Sequence, residues 1–187
     1  MKRESILYGI IGILVGSLLT FWLVSLRQDV GTPSMASSLD KHFIEQMIPH
    51  HEGAVEMAKL AQERSKHPEI LTLAKVIIQS QTQEITQMRT WYKNWYKVEV
   101  PVNVNAGMGM GRGMMHGGMM GGKTANFDEA FLQEMIPHHQ MAVMMAQMLL
   151  SGTSRLEMKQ LAQDIVTAQE AEITQMRSWL EQTDFPN

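Results

Sequence analysis

The residues best suited to chemistry stand in a short block that occurs twice. Met47, His50 and His51 form one Met-x-x-His-His motif, and Met135, His138 and His139 form the other. On a helix, residues three and four apart lie one turn apart on one face, so the Met can meet either His. Thioethers favour Cu(I), whereas imidazole serves copper in both oxidation states. A Met at helical spacing is ordinarily core filler, and a lone His on an apolar face is ordinarily a satisfied core residue. A His pair plus a Met on one buried face, twice over, points to metal instead. Four buried imidazoles without partners would be costly.

A second set of soft donors lies in the Gly-rich stretch between the two motifs. It contains Met108, Met110, Met114, Met115, His116, Met119 and Met120. Such a stretch has no core to fill, so packing does not account for its Met content. A multi-thioether arm can wrap soft ions, with ordering entropy limiting its affinity. In all, the 187 residues include 18 Met and no Cys. The missing Cys excludes disulfides, thiolate zinc sites, iron–sulfur clusters, Cys nucleophiles and c-type haem attachment. Outside the cytoplasm that choice is sensible. Thiolates oxidise there, and thioether binding needs no deprotonation. A net charge of −3 leaves no basic footprint for nucleic acid.

Both motifs belong to a larger repeat. Asp40–Trp91 aligns with Asp128–Trp179 at an offset of 88, without a gap and with 23 identities in 52 positions. The second matching block is EITQMRTW (Glu84–Trp91) against EITQMRSW (Glu172–Trp179). Each repeat reads as a helical hairpin. Phe43, Met47, His50, Ala54, Met57 and Ala61 recur at spacings of four and three, beside a second stripe through Ile44, Ile48, His51, Val55 and Ala58. Ser37 or Ser38 is the expected cap, with Asp40 in the first turn. The next helix is expected to start at His67-Pro68. In the second repeat the expected spans are Phe131–Leu150 and Ser154–Gln182. Pro49 and Pro137 should kink the first helix of each repeat. The fold class expected is an all-α four-helix bundle built from two duplicated hairpins, with an N-terminal transmembrane helix.

That last element rests on Ser5–Leu26, an uncharged run of 22 residues following Lys2 and Arg3. A spanning helix needs about 20, and the flanking charges send the rest of the chain across the membrane. The domain map is a signal-anchor and tether over 1–36, a hairpin over 37–96, the Gly/Met-rich linker over 97–125 and a second hairpin over 126–187. A cleaved signal is the alternative to an uncleaved anchor. Either places the remainder on the periplasmic or extracellular side.

Hairpin geometry nominates further ligands. If the first hairpin turns near Arg64–His67, antiparallel pairing brings His50 near Glu84 and Met47 near Met88. If the second turns near Gly152, His138 comes near Glu172 and Met135 near Met176. Met88 and Met176 are therefore candidate ligands from the facing helix. Glu84, Glu172, Gln81 and Gln169 are candidates for orienting the imidazoles. Met57 is about 10 Å along the axis from His50, too far to share one ion with it simply. Trp91 and Trp179 are expected in the core. The second repeat adds Met141, Met144, Met148 and Met158, so the halves need not bind equally. His42 and His67, whose equivalents are Ala130 and Arg155, are expected at the surface.

The motif F-x-x-x-M-I-P-H-H, followed 33 residues later by E-I-x-x-M-x-x-W, occurs in both repeats. In this the chain resembles the domain-of-unknown-function 305 family over about residues 38–182, and particularly its duplicated, Met-rich, CopM-type members. The resemblance implies a ferritin-like four-helix bundle, exported, that binds copper and contributes to copper tolerance. Met47, His50, His51 and Met88, with Met135, His138, His139 and Met176, sit at the matching motif positions. The reading is a non-enzymatic protein that sequesters or delivers Cu(I) and Cu(II), possessing a membrane tether unless cleaved and open to copper-efflux or copper-delivery partners. The alternatives are a haem-b carrier and a di-iron bundle. The haem reading explains neither the paired His nor the Met-rich linker. The di-iron class needs Glu-x-x-His pairs, and none occurs in this sequence.

Overall fold

The computed structural model describes residues 35–101 and 127–181, with side chains from Ser38 on. The apolar run at 5–26 and the linker donors from Met108 to Met120 lie outside the described residues. Among those described there is no strand, and no helix is long and apolar enough to cross a membrane. Four helices follow in order: α1 Met35–Arg64, α2 Pro68–Tyr96, α3 Phe127–Gly152 and α4 Leu156–Leu180.

Helix α1 starts upstream of both serines expected to cap it, because Met35 and Ala36 are good helix formers and extend the run. Asp40 is therefore an inward-facing buried residue and not a first-turn acid. Likewise α3 starts at Phe127 and ends at Gly152, wider than Phe131–Leu150, while α4 is shorter than Ser154–Gln182. Pro49 and Pro137 lie inside helices that continue past them.

The two hairpin turns are built alike. His67 is extended, as a residue before proline prefers, and Pro68 opens α2 where its missing N–H costs nothing. The His67 N–H donates to Ser65 Oγ at 3.1 Å. In the second repeat Arg155 is extended with no proline after it, and its N–H donates to Thr153 Oγ1 at 3.2 Å. The hydroxyl two residues back is thus the shared feature of the turn, and the proline an addition in one copy.

Helix α1 packs along α2 and α3 along α4, and the hairpins meet mainly through α1 against α3. One continuous core runs through all four. Three contacts between the hairpins define their relation. The His50 and His138 rings lie with centroids 3.8 Å apart. Asp40 Oδ2 pairs with Arg155 Nε at 3.2 Å, and Asp128 Oδ2 pairs with His67 Nε2 at 3.6 Å. His138 is the repeat equivalent of His50 itself. Asp128 and His67 are the equivalents of Asp40 and Arg155 with the repeats exchanged. Self-matching contacts of this kind are the signature of a twofold relation, here a pseudo-twofold passing between α1 and α3.

These pairs correct the surface placement of His67, which is half-buried against Asp128; His42 is exposed. Burial raises the Asp40 carboxyl, while the Thr153 hydroxyl and Arg155 draw it back down. The Arg155 guanidinium also lies 4.2 Å over the Trp95 ring, and Arg64 lies 4.7 Å over Phe127. Trp91 and Trp179 are in the core, as the spacing predicts.

Candidate metal centre

The second His of each motif points into its own hairpin. His51 Nε2 lies 2.6 Å from Glu84 Oε2, and His139 Nε2 lies 2.8 Å from Glu172 Oε2. Both imidazoles are fully buried. A carboxylate only accepts, so Nε2 must carry the proton and donate. In the neutral ring the lone pair then sits on Nδ1. In both residues Nδ1 is buried without a hydrogen-bond partner. An imidazole held by a carboxylate on one nitrogen, with the other free to donate, is the usual state of a metal-binding His.

This register differs by one residue from the sequence expectation, which sets His50 and His138 opposite the glutamates. The bond from His51 to Glu84 sets Met47, four residues back on α1, level with Met88, four residues on along α2. In the second hairpin the bond from His139 to Glu172 does the same for Met135 and Met176. All four methionines are fully buried in the core. Met57 and Met158 are buried there too. Gln81 and Gln169 are buried with Oε1 unpartnered, so the orienting role falls to the glutamates.

The first His of each motif turns instead toward the other hairpin. His50 and His138 meet on the pseudo-twofold, with centroids 6.3 and 6.4 Å from their sequence neighbours His51 and His139. Their Nδ1 atoms are also buried and unpartnered. Burial, then repulsion from the other imidazoles, pushes His50 down to about 3 and His138 down to about 2. Both rings are therefore neutral at physiological pH, the protonation state a metal requires.

The four imidazoles thus gather into one cluster, with two ring nitrogens tied to carboxylates and four Nδ1 atoms unpartnered. Among the described residues no group of three or more His, Cys, Asp or Glu side chains is arranged to hold one ion. Other soft donors in the core are the thioethers of Met47, Met88, Met135 and Met176. The contact between His50 and His138 was not anticipated. Its signal was present, however: in a duplicated chain, a residue on the facing helix near a twofold meets its own equivalent. Asp164 was also passed over. It is half-buried on α4, and burial first, with the Glu84 charge contributing, raises its carboxyl.

Fold and cluster together define a pseudo-symmetric four-helix bundle whose core brings two His/Met motifs face to face. The chain belongs to the family described as "Domain of unknown function (DUF305)", which it matches over residues 40–180. It is similar to CopM in the Cu(I)-bound form, at 44% identity over 76% of this chain and 95% of that one, with a TM-score of 0.66. It is also similar to a DUF305 fragment from Deinococcus radiodurans, at 30% identity over 76% of this chain and 95% of that one, with a TM-score of 0.65. Among curated proteins it resembles uncharacterized protein L153 of Acanthamoeba polyphaga mimivirus, 40% identical over 60 residues. That match spans 32% of this chain and 40% of the viral protein's length.

Proposed function

We propose that this chain is a non-enzymatic copper-binding protein that acts outside the cytoplasm, held there by its N-terminal apolar segment. One observation carries the reading. Four imidazole Nδ1 atoms are buried without partners, two of them on rings whose far nitrogen is held by a carboxylate. A buried polar atom left unpaired costs about 1–3 kcal/mol, and copper would remove that penalty. His50, His51, His138 and His139 would supply nitrogen, and Met47, Met88, Met135 and Met176 sulfur. Glu84 and Glu172 would orient the two imidazoles they hold. The likeness to CopM, solved with Cu(I), Cu(II) and Ag bound, supports the same cargo. The donor mixture suits storage or delivery of copper in either oxidation state, and the linker donors would add further Cu(I) capacity.

Competition of the full-length protein against a chromogenic Cu(I) chelator tests the reading. Retention of several Cu(I) ions is expected, and retention no greater than that of a Met-free helical bundle would sink it. Replacing all four motif histidines by Gln should weaken Cu(II) binding more than deleting 107–122 does. The deletion should lower Cu(I) stoichiometry and leave helical content intact.

A further inference from the structure

Two methionines stand exposed on the outer face of α3. Met144 and Met148 are 48% and 62% exposed, among the few large apolar side chains in solvent in the described residues. Core filling therefore does not explain them. They are four residues apart, with Met141, half-buried, three residues before Met144. Residues at these offsets have Cβ atoms about 5–6 Å apart along one face, within reach of one ion for flexible thioethers.

The first repeat provides an internal control. At the equivalent positions it carries Gly53, Glu56 and Leu60, with Lys59 between the last two; the second repeat has Met141, Met144 and Met148, with Gln147 in place of the lysine. In the second repeat this strip has three thioethers and neither the Glu56 carboxylate nor the Lys59 cation. Helix α3 contains no Lys or Arg at all, and its last turn carries no basic residue. The nearest chain cation in sequence, Arg155, is engaged with Asp40 and Trp95. Soft donors on a helix with no Lys or Arg of its own suit a soft monovalent cation.

We propose that Met144 and Met148, with Met141 as a third donor, form a surface site for Cu(I) or Ag(I), distinct from the buried His/Met centre. It extends the copper reading by giving the second hairpin an accessible outer docking point. Unlike the core methionines, these donors can exchange an ion without the bundle opening.

The test uses full-length protein in detergent micelles with 13C-labelled Met methyl groups, titrated with Ag(I) alone. The Met144 and Met148 methyl signals, assigned from Met144→Leu and Met148→Leu, should move together. The double variant should bind one silver ion fewer while keeping its helical content. Both positions are exposed, so the variants should fold. Methyl signals that stay fixed while silver binds elsewhere would overturn the proposal, as would full stoichiometry in the double variant. Imidazole signals recorded in the same titration report the buried centre independently, so failure of one reading is distinguishable from failure of the other.

Discussion

The two hairpins hold the same His–Glu pair in different surroundings. In the first, the Glu84 side chain is 20% exposed; in the second, Glu172 is 4% exposed. Asp164 of α4 interacts with Glu84, whereas its repeat equivalent in the first hairpin is the apolar Val76. The hairpins also swap a guanidinium for an imidazole, since Arg155 pairs with Asp40 and His67 with Asp128. Duplication has kept the bond that fixes each imidazole while its environment diverged. What remains common is the chemistry at the axis, and what differs is access and charge at the flanks.

The largest effect is expected at the axis, where the halves should behave alike. A His whose value falls below 6.5 on folding resists protonation in the folded chain. Stability is therefore complete above about 6.5 and is lost as pH falls toward about 3. The raised carboxyls of Asp40, Glu134 and Asp164 act in the opposite sense, because protonation favours their folded form. Hence His50→Gln and His138→Gln should each flatten the acid side of the stability profile, and by similar amounts, in urea unfolding at stepped pH. Markedly unequal slopes would break the twofold reading.

The flanks should then separate the halves. Glu172→Ala leaves a sealed His without its acceptor and should cost about 2–3 kcal/mol. Glu84→Ala, at a more open site, should cost about 1 kcal/mol. Thermal unfolding would read this as a difference of a few degrees, at about 2–4 °C per kcal/mol for a chain of this size. Equal shifts would mean that exposure of the glutamate decides nothing.

A smaller contrast is expected at the inter-hairpin pairs. A double-mutant cycle on Asp40 and Arg155, 3.2 Å apart, should give about 1 kcal/mol, and one on Asp128 and His67, 3.6 Å apart, less than that. Least of all, Met144→Leu with Met148→Leu should leave stability within about 0.5 kcal/mol, as expected for exposed positions. A larger loss would show that these methionines pack, and would remove the ground for a surface metal site.

Much of this was legible in the chain. Helical periodicity placed Phe43, Met47, Ala54 and Met57 on one buried face, and the offset of 88 exposed the duplication and the facing EITQM blocks. The pairing partner of Glu84 was missed by one residue. A hairpin turn inferred to within a residue or two leaves the register uncertain by as much, and one residue turns a side chain by about 100°. Asp40 and His67 were misplaced for another reason: their partners lie in the other hairpin, where local pattern carries no signal.

Sequence alone determined the donor types, the absence of thiols, the two copies and the helices that carry them, because each is a matter of composition and local period. Only the tertiary structure decided how the two histidines of each motif divide. His51 and His139 turn inward to a carboxylate, while His50 and His138 cross to meet each other. Adjacent residues on a helix point about 100° apart. Which of the two directions is the hairpin and which is the axis depends on how the hairpins dock, and docking is a property of the assembled core.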